Sequence, residues 1–223
     1  MDFNLTPEQQ AFRDSVLRFS KEKLAANARD RAHSPDYPRD VALLMAKQGL
    51  LGITIPEADG GQGGTLMDAV LAIEAVASAC PRSADVVQAG NFGAIRVLAQ
   101  YGSAFQKTSF LKPLLEGKTV ISVGMTEPDA GSAVTDLQTK AVPDKGGYRV
   151  QGSKIFVTHS SYADLVLTYV RFKEGVEGIG SVLIDTKSKG VKRGKASAFM
   201  SGEEWSELQF DDVHVPEEMV LLK

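Results

Sequence analysis

Two short stretches of this 223-residue sequence combine glycine, hydroxyl and aromatic residues in an order suited to ligand binding. In the first, a predicted strand ends at Met125 and a tight turn follows as far as Ser132. A turn of this kind exposes successive backbone N–H groups, which form a concavity for an anion. Thr126 and Ser132 add hydroxyls, and Gly131 lets a ligand approach the backbone closely. The alternative interpretation is an ordinary β-turn rich in small residues.

The second stretch, from Gly152 to His159, includes a predicted strand that begins at Lys154 and places an aromatic and a hydroxyl side chain on one face. Phe156 and Thr158 are two residues apart, so they point to the same side of a strand. Together they are suited to pack against a planar heterocycle and to hydrogen-bond its edge. Because many strands alternate in this way, the pattern indicates a binding site only when it is considered together with the first stretch.

Other chemistry-bearing residues do not form a recognisable site. The glycines from Gly60 to Gly64 do not spell the dinucleotide-binding fingerprint, and no strand–helix crossover surrounds them. His33, His159 and His214 have no metal-ligand spacing, so we expect no metal site. The G-x-S-x-G element of many hydrolases does not occur in the sequence. The single cysteine, Cys80, is interpreted as a buried, inert thiol.

Composition is that of an ordinary soluble globular protein, with 43% hydrophobic and 24% charged residues. The net charge of −3 and the lack of a large basic face predict that nucleic acid is not a partner. A single cysteine allows no intrachain disulfide, and no window of about 18 apolar residues predicts a membrane span. Residues 1–10 also lack an apolar segment of signal length. These features predict a cytoplasmic protein.

Hydrophobic periodicity divides the elements that position the two stretches into a helical part and a strand-rich part. As far as residue 118, apolar residues recur near helical spacing, whereas β-branched runs alternate with glycine-rich turns from Thr119 onward. We therefore predict an α+β protein with a helical domain at 1–118 and a β domain at 119–223. The first helix should begin after a Thr6 cap and run to about Arg31.

Two further boundaries follow from local signals. A helix is predicted to begin at Pro81 and to continue without a break to about Tyr101. Gly152 and Ser153 predict a turn between two short strands.

Taken together, the two stretches resemble the acyl-CoA dehydrogenase family of flavoproteins. That family carries a T-E-P-x-A-G-S turn and, farther along the chain, a G-x-K-x-[WF]-[IV]-T strand; here these are Thr126 to Ser132 and Gly152 to Thr158. Three further segments are similar to the family: Leu5 to Gln9, Gly52 to Glu57, and Phe210 to Pro216. The resemblance extends in order over essentially the whole chain.

The resemblance implies an N-terminal all-helical domain, a middle domain of β-barrel or β-sandwich-like architecture, and a C-terminal helical bundle that is absent from this sequence. It also implies that FAD is the cofactor. It assigns no catalytic residue to this chain, because the family's glutamate base lies in the C-terminal bundle. Glu127 is then expected to hold its turn through backbone N–H bonds.

The implied flavin site draws on both stretches. Thr126 and the amides of its turn are expected at the pyrimidine edge of the flavin, Thr158 at the N5/O4 edge, and Phe156 beside the ring. Gly131 and Ser132 are expected on the pyrophosphate side, with Ser132 also near the thioester substrate. The complete set of expected cofactor-binding residues is Val123, Met125, Thr126, Gly131, Ser132, Phe156, Val157 and Thr158.

The implied reaction is α,β-dehydrogenation of an acyl-CoA thioester, with electrons passing to an electron-transfer flavoprotein or a similar acceptor. One alternative is a non-catalytic flavin-binding or acyl-CoA-binding module or partner subunit. Another is a family relative with different chemistry, such as an enoyl-CoA reductase, an oxidase or a desulfinase. A homo-oligomer is expected, because Leu111, Leu114, Leu115 and the β-domain faces that would meet the bundle should be exposed.

Overall fold

The computed structural model describes residues 4–223, which form two compact units. The helical unit comprises residues up to 99 together with 111–118 and 199–203. The β-rich unit comprises 100–110, 119–198 and 204–223. Helices followed by a mixed β-sheet confirm the predicted α+β fold class. Residues 1–3, which belong to the segment predicted to lack a signal sequence, lie outside the described residues.

The described residues contain eight α-helical segments, some of a single turn. They are α1 (Pro7–Lys23), α2 (Ala28–His33), α3 (Arg39–Lys47), α4 (Leu66–Ala77), α5 (Pro81–Ala89), α6 (Ala94–Tyr101), α7 (Ala104–Gln106) and α8 (Lys112–Leu115). A π-helical turn, Lys107–Leu111, joins the last two. None of the helices in this part of the chain is long and apolar enough to cross a bilayer.

Helix α1 begins as the sequence predicts but ends earlier. Thr6 and Gln9 form the reciprocal capping box, with Gln9 N donating to Thr6 Oγ1 at 3.2 Å and Thr6 N donating to Gln9 Oε1 at 3.0 Å. The predicted continuation to Arg31 is wrong. Leu24 is fully buried, and its carbonyl accepts a hydrogen bond from Arg31 Nη1 at 2.8 Å. The chain therefore turns through a 3₁₀ segment, Ala25–Asn27, into α2.

The single helix predicted from Pro81 to Tyr101 is also wrong, because α5 and α6 are separate helices. Asn91, fully buried between them, donates from Nδ2 to the carbonyls of Leu50 and Val87, both at 2.8 Å. Gly93 follows with φ 64°, a conformation that glycine adopts easily. A tertiary hydrogen bond to Leu50 thus accompanies a break that the apolar spacing does not reveal.

Nine strands lie in the β-rich unit and form one mixed sheet. They are β1 (Ile121–Gly124), β2 (Lys140–Asp144), β3 (Gly147–Thr158), β4 (Leu165–Arg171), β5 (Ile179–Asp185), β6 (Val191–Arg193), β7 (Ser197–Ala198), β8 (Glu204–Pro216) and β9 (Val220–Leu222). The strand order is β6-β8-β3-β2-β4-β5-β9, with β1 beside β4 and β7 beside β8. Strand β4 pairs in parallel with β1 and β2, and the other pairs are antiparallel.

Strand β3 is the element that carries the second sequence stretch, and it is longer than predicted. The turn expected at Gly152 and Ser153 is instead part of this continuous strand, which shifts register against β8 there. A Cβ atom at Gly152 would lie only 2.5 Å from Thr139 Oγ1, so close packing explains the glycine. A second register shift between Lys154 and Val157 lies within the predicted site.

Each unit has its own apolar core. Val41, Met45 and Val76 lie in the core of the helical unit, whereas Val150 and Phe210 lie in the core of the β-rich unit. The leucines expected to be exposed are not: Leu111 is fully buried, Leu114 is 5% exposed and Leu115 is half-buried. These leucines therefore provide no apolar patch to support the expected homo-oligomer.

Candidate functional site

The turn after β1 lies directly against β3. β1 ends at Gly124, and Glu127 and Ala130 then exchange two backbone hydrogen bonds of 3.1 and 3.2 Å, which close the turn. The carbonyl of Thr126 accepts a hydrogen bond from Ile155 N at 2.8 Å. The two stretches that the sequence singles out are therefore neighbours in the fold.

A buried ion pair joins the same two segments. Lys154 Nζ donates to Glu127 Oε1 at 2.7 Å and to the carbonyl of Met125 at 3.0 Å. The side chain of Lys154 is 0% exposed and that of Glu127 is 7% exposed, so water barely reaches the pair. Because an unpaired charge in such a place is costly, each partner depends on the other. The pair therefore ties the turn to β3 from the interior.

The carboxylate of Glu127 also accepts backbone hydrogen bonds from Gln138 N at 2.6 Å and from Thr139 N at 3.0 Å. Burial alone would raise the pKa of Glu127, but the bonds from Lys154, Thr139 and Gln138 outweigh it and hold the pKa below its usual range. The expectation that Glu127 binds backbone N–H groups is confirmed, although these groups lie after the turn. An ionised, fully bonded carboxylate is a poor proton acceptor.

Acid should weaken the β-rich unit through Glu127. Since its pKa is lower in the folded protein than in the unfolded chain, its stabilising contribution is complete above the unfolded-state pKa and is lost as the pH falls through the folded-state pKa. We expect the unfolding free energy of the unchanged protein to fall more steeply in that acidic interval than that of Glu127→Gln. Urea unfolding at a series of pH values measures both slopes, and equal slopes would contradict the expectation.

One face of the sheet brings Phe156, Thr158 and Trp205 together. Thr158 pairs directly with Trp205 of β8, so these two side chains share a face. The ring of Phe156 lies 4.8 Å from the indole of Trp205, measured between centroids, which places Phe156 on that face too. Phe156 reaches it from a bulge, with φ 55°, and the residue is 57% exposed. A bulge commonly re-aims a side chain in this way.

The other predicted site residues differ in how far they are exposed to solvent. Val157 is fully buried in the core of the β-rich unit, so its side chain is not accessible to a ligand. Val123 is half-buried within β1, and Ser132 is exposed after the turn. A Cβ atom built on Gly131 would meet nothing within 4 Å, so there is open space beside this backbone.

The arrangement fits a planar group with polar edges and an anionic tail. Within the described residues, the hydroxyls of Thr126, Ser132 and Thr158 make no hydrogen bond, which leaves them available to a ligand. Phe156 offers an exposed ring, and the backbone at Gly131 is open. FAD, the cofactor that the resemblance implies, has both a planar ring system and a pyrophosphate. The residues present are therefore compatible with it.

Sequence reasoning missed two residues of this region. Lys154 occupies the lysine position of the G-x-K-x-[WF] pattern, and a lysine that directly precedes the apolar run Ile155–Val157 is a signal that could have found it. Trp205 is the only tryptophan of the chain, but its position opposite Thr158 depends on the register between β3 and β8. Nothing in the local sequence reveals that register.

Both parts of the sequence match models of one protein family. Residues 6–118 match the model described as acyl-CoA dehydrogenase, N-terminal domain. Residues 122–213 match the model described as acyl-CoA dehydrogenase, middle domain.

Individual relatives agree with these matches. A short-chain-specific acyl-CoA dehydrogenase of Clostridium acetobutylicum is 30% identical over 227 residues, which cover 100% of this chain and 60% of that protein. A 3-sulfinopropanoyl-CoA desulfinase of Paraburkholderia xenovorans is 30% identical over 222 residues, covering 97% of this chain and 57% of that protein. The solved FAD complex of PigA has a TM-score of 0.91 at 28% identity, covering 99% of this chain and 59% of that one. The chain thus spans about 60% of the length of such relatives.

Proposed function

We propose a function from the fact that this chain belongs to the acyl-CoA dehydrogenase family. The chain provides the flavin-binding part of an FAD-dependent enzyme that acts on acyl-CoA thioesters. The proposed reaction is removal of two hydrogens across the Cα–Cβ bond. The observation that carries this proposal is the contact between the turn after β1 and strand β3. It brings the backbone of Thr126, a residue whose hydroxyl makes no hydrogen bond within the described residues, against the strand that carries Phe156 and Thr158.

FAD, when bound, supplies a hydride acceptor at its N5 atom. The residues of this chain bind and orient that group. Thr126 and the amides of its turn serve the pyrimidine edge, where hydrogen-bond donors would stabilise the negative charge of the reduced flavin at N1 and O2. Thr158 serves the N5/O4 edge. Phe156 packs beside the ring. Gly131 and Ser132 hold the pyrophosphate side, and Ser132 also contacts the thioester.

The proton on the substrate α-carbon needs a base that Glu127 does not supply. Its carboxylate is paired with Lys154, bonded to two backbone N–H groups, and has a lowered pKa. We assign the base to the glutamate that the family resemblance places in a C-terminal helical bundle. We propose an electron-transfer flavoprotein or a similar protein as the electron acceptor.

A second candidate within the family is a different reaction on an acyl-CoA. The desulfinase relative is as similar to this chain, at 30% identity, as the short-chain dehydrogenase. Product analysis with saturated acyl-CoAs and with 3-sulfinopropanoyl-CoA, using a polypeptide that includes the base, separates the two reactions. The enoyl-CoA product supports dehydrogenation, whereas sulfite release supports the second candidate.

The flavin site is tested by titrating the purified chain with FAD and following flavin absorbance and fluorescence. We expect saturable binding, and we expect Thr158→Ala or Ser132→Ala to weaken it by about 2–10-fold, the effect of losing one hydrogen bond. Ser188→Ala, in the turn between β5 and β6, is the matched control and should bind like the unchanged chain. If neither Thr158→Ala nor Ser132→Ala alters the affinity, the proposed placement of these residues is wrong. If the unchanged chain binds no FAD at all, the proposed flavin-binding function is wrong.

A further inference from the structure

Phe156 and Trp205 form an aromatic pair that lies outside the core, since Phe156 is exposed and Trp205 is half-buried. The two rings lie 4.8 Å apart between centroids, with their planes inclined by 59°. The two rings touch and are tilted, so together they form an angled aromatic surface, which we call the corner, rather than a parallel stack. A planar group that packs against the outer side of this corner can meet the face of one ring and the edge of the other, an arrangement that aromatic rings favour.

The backbone at Phe156 is held in an unusual conformation. Its φ of 55° lies in the left-handed region that non-glycine residues adopt rarely and at a cost in energy. Phe156 is 57% exposed, so its large apolar side chain does not lie in the core. Conformations of this kind are concentrated at ligand sites, where the surrounding structure maintains them. The left-handed backbone and the exposed ring occur together at Phe156, and this combination favours a binding surface at the corner.

The corner also has a hydrogen-bonding side. Thr158 lies directly opposite Trp205 in the strand pair, and its hydroxyl makes no hydrogen bond within the described residues. Its backbone is continuous with that of Phe156 in β3. An occupant with both an aromatic plane and a polar edge uses all three side chains, whereas a purely apolar occupant leaves the hydroxyl of Thr158 unused.

We infer that Trp205 is a positioning residue for the flavin ring, which it contacts together with Phe156 beside the hydroxyl of Thr158. This inference rests on the proposed function, since it assigns one further residue to the same site. Trp205 limits the tilt of the ring system against Phe156, so its removal should both weaken binding and change the environment that the flavin experiences.

Because Trp205 is the only tryptophan, its fluorescence reports how close the bound flavin lies to this residue. We expect titration with FAD to quench the emission of Trp205 strongly. A matched control places the only tryptophan elsewhere, as Phe172→Trp combined with Trp205→Phe. Phe172 contacts Tyr148, ten residues from Thr158 along β3, a separation of about 30 Å. The control tryptophan should be quenched much less at equal FAD saturation.

Substitutions at Trp205 give a second, independent readout. We expect Trp205→Thr to raise the Kd for FAD by about 3–10-fold and to shift the visible absorption bands of the bound flavin. Trp205→Phe keeps an aromatic ring and should restore most of the affinity and the spectrum. If Trp205→Thr does not fold, the quenching comparison and Trp205→Phe still test the inference.

The outcomes separate the inference from the proposed function. FAD binding with no more quenching of Trp205 than of the control tryptophan overturns the inference and leaves the flavin function intact. The same holds if Trp205→Thr folds and binds FAD with unchanged affinity and spectrum. If the unchanged chain binds no FAD, the proposed function and the inference are both wrong.

Discussion

Replacing Lys154 with methionine is expected to lower the free energy of unfolding by about 3–5 kcal/mol, the usual cost of leaving one partner of a buried ion pair alone. Lys154 is fully buried, and its Nζ bonds both Glu127 and the carbonyl of Met125. The substitution fills a similar volume but leaves the Glu127 carboxylate without a cation in an apolar interior. Urea unfolding, followed by circular dichroism, measures the change.

A double-mutant cycle shows whether the pair itself is responsible. Lys154→Met combined with Glu127→Gln removes both charges, so we expect it to be less destabilised than the sum of the single changes. Lys192→Met is the matched control, because Lys192 pairs with Asp211 at 3.0 Å while both side chains are more than half exposed. An exposed pair contributes little, so this variant should remain close to the unchanged protein. If Lys154→Met lowers the free energy of unfolding as little as Lys192→Met does, the buried pair is not what holds the turn against β3.

The 223-residue chain by itself is expected to leave acyl-CoA thioesters essentially unchanged, even when FAD is bound. A positioned general base typically contributes about 10²–10⁴-fold to the rate. Glu127, the carboxylate within the site motif, is held ionised by Lys154 and by two backbone N–H groups, and its lowered pKa makes it a weak base. Reduction of an artificial electron acceptor by short-, medium- and branched-chain acyl-CoAs should therefore stay near background.

A complete acyl-CoA dehydrogenase, assayed under the same conditions, provides the positive control. Flavin absorbance, measured in parallel, confirms that the 223-residue chain holds FAD during the assay. Turnover by this chain alone would mean that a base lies within it and that our division of roles is mistaken. Glu127→Gln would then be the first substitution to test, since it removes the carboxylate but keeps a similar shape.

The sequence alone determined those features that depend on residues close together in the chain. The reciprocal cap of Thr6 and Gln9 is a contact across three residues, and the structure confirms it. The change from helical to strand spacing predicted the α+β class, because each periodicity arises from the geometry of a single element. The two motifs identified the family, which the family models confirm.

Contacts between distant residues decided the rest. The helix predicted from Pro81 is broken at Asn91, whose buried amide bonds Leu50, 41 residues earlier. Lys154 and Glu127 are 27 residues apart, and only the fold shows that they form a buried pair. Trp205 faces Thr158 solely because of a strand register that includes a bulge. The spacing of residues along the chain specifies on which face of its own helix or strand a side chain lies. Which residues that face contacts is decided only when distant segments pack together and satisfy each other's buried polar groups.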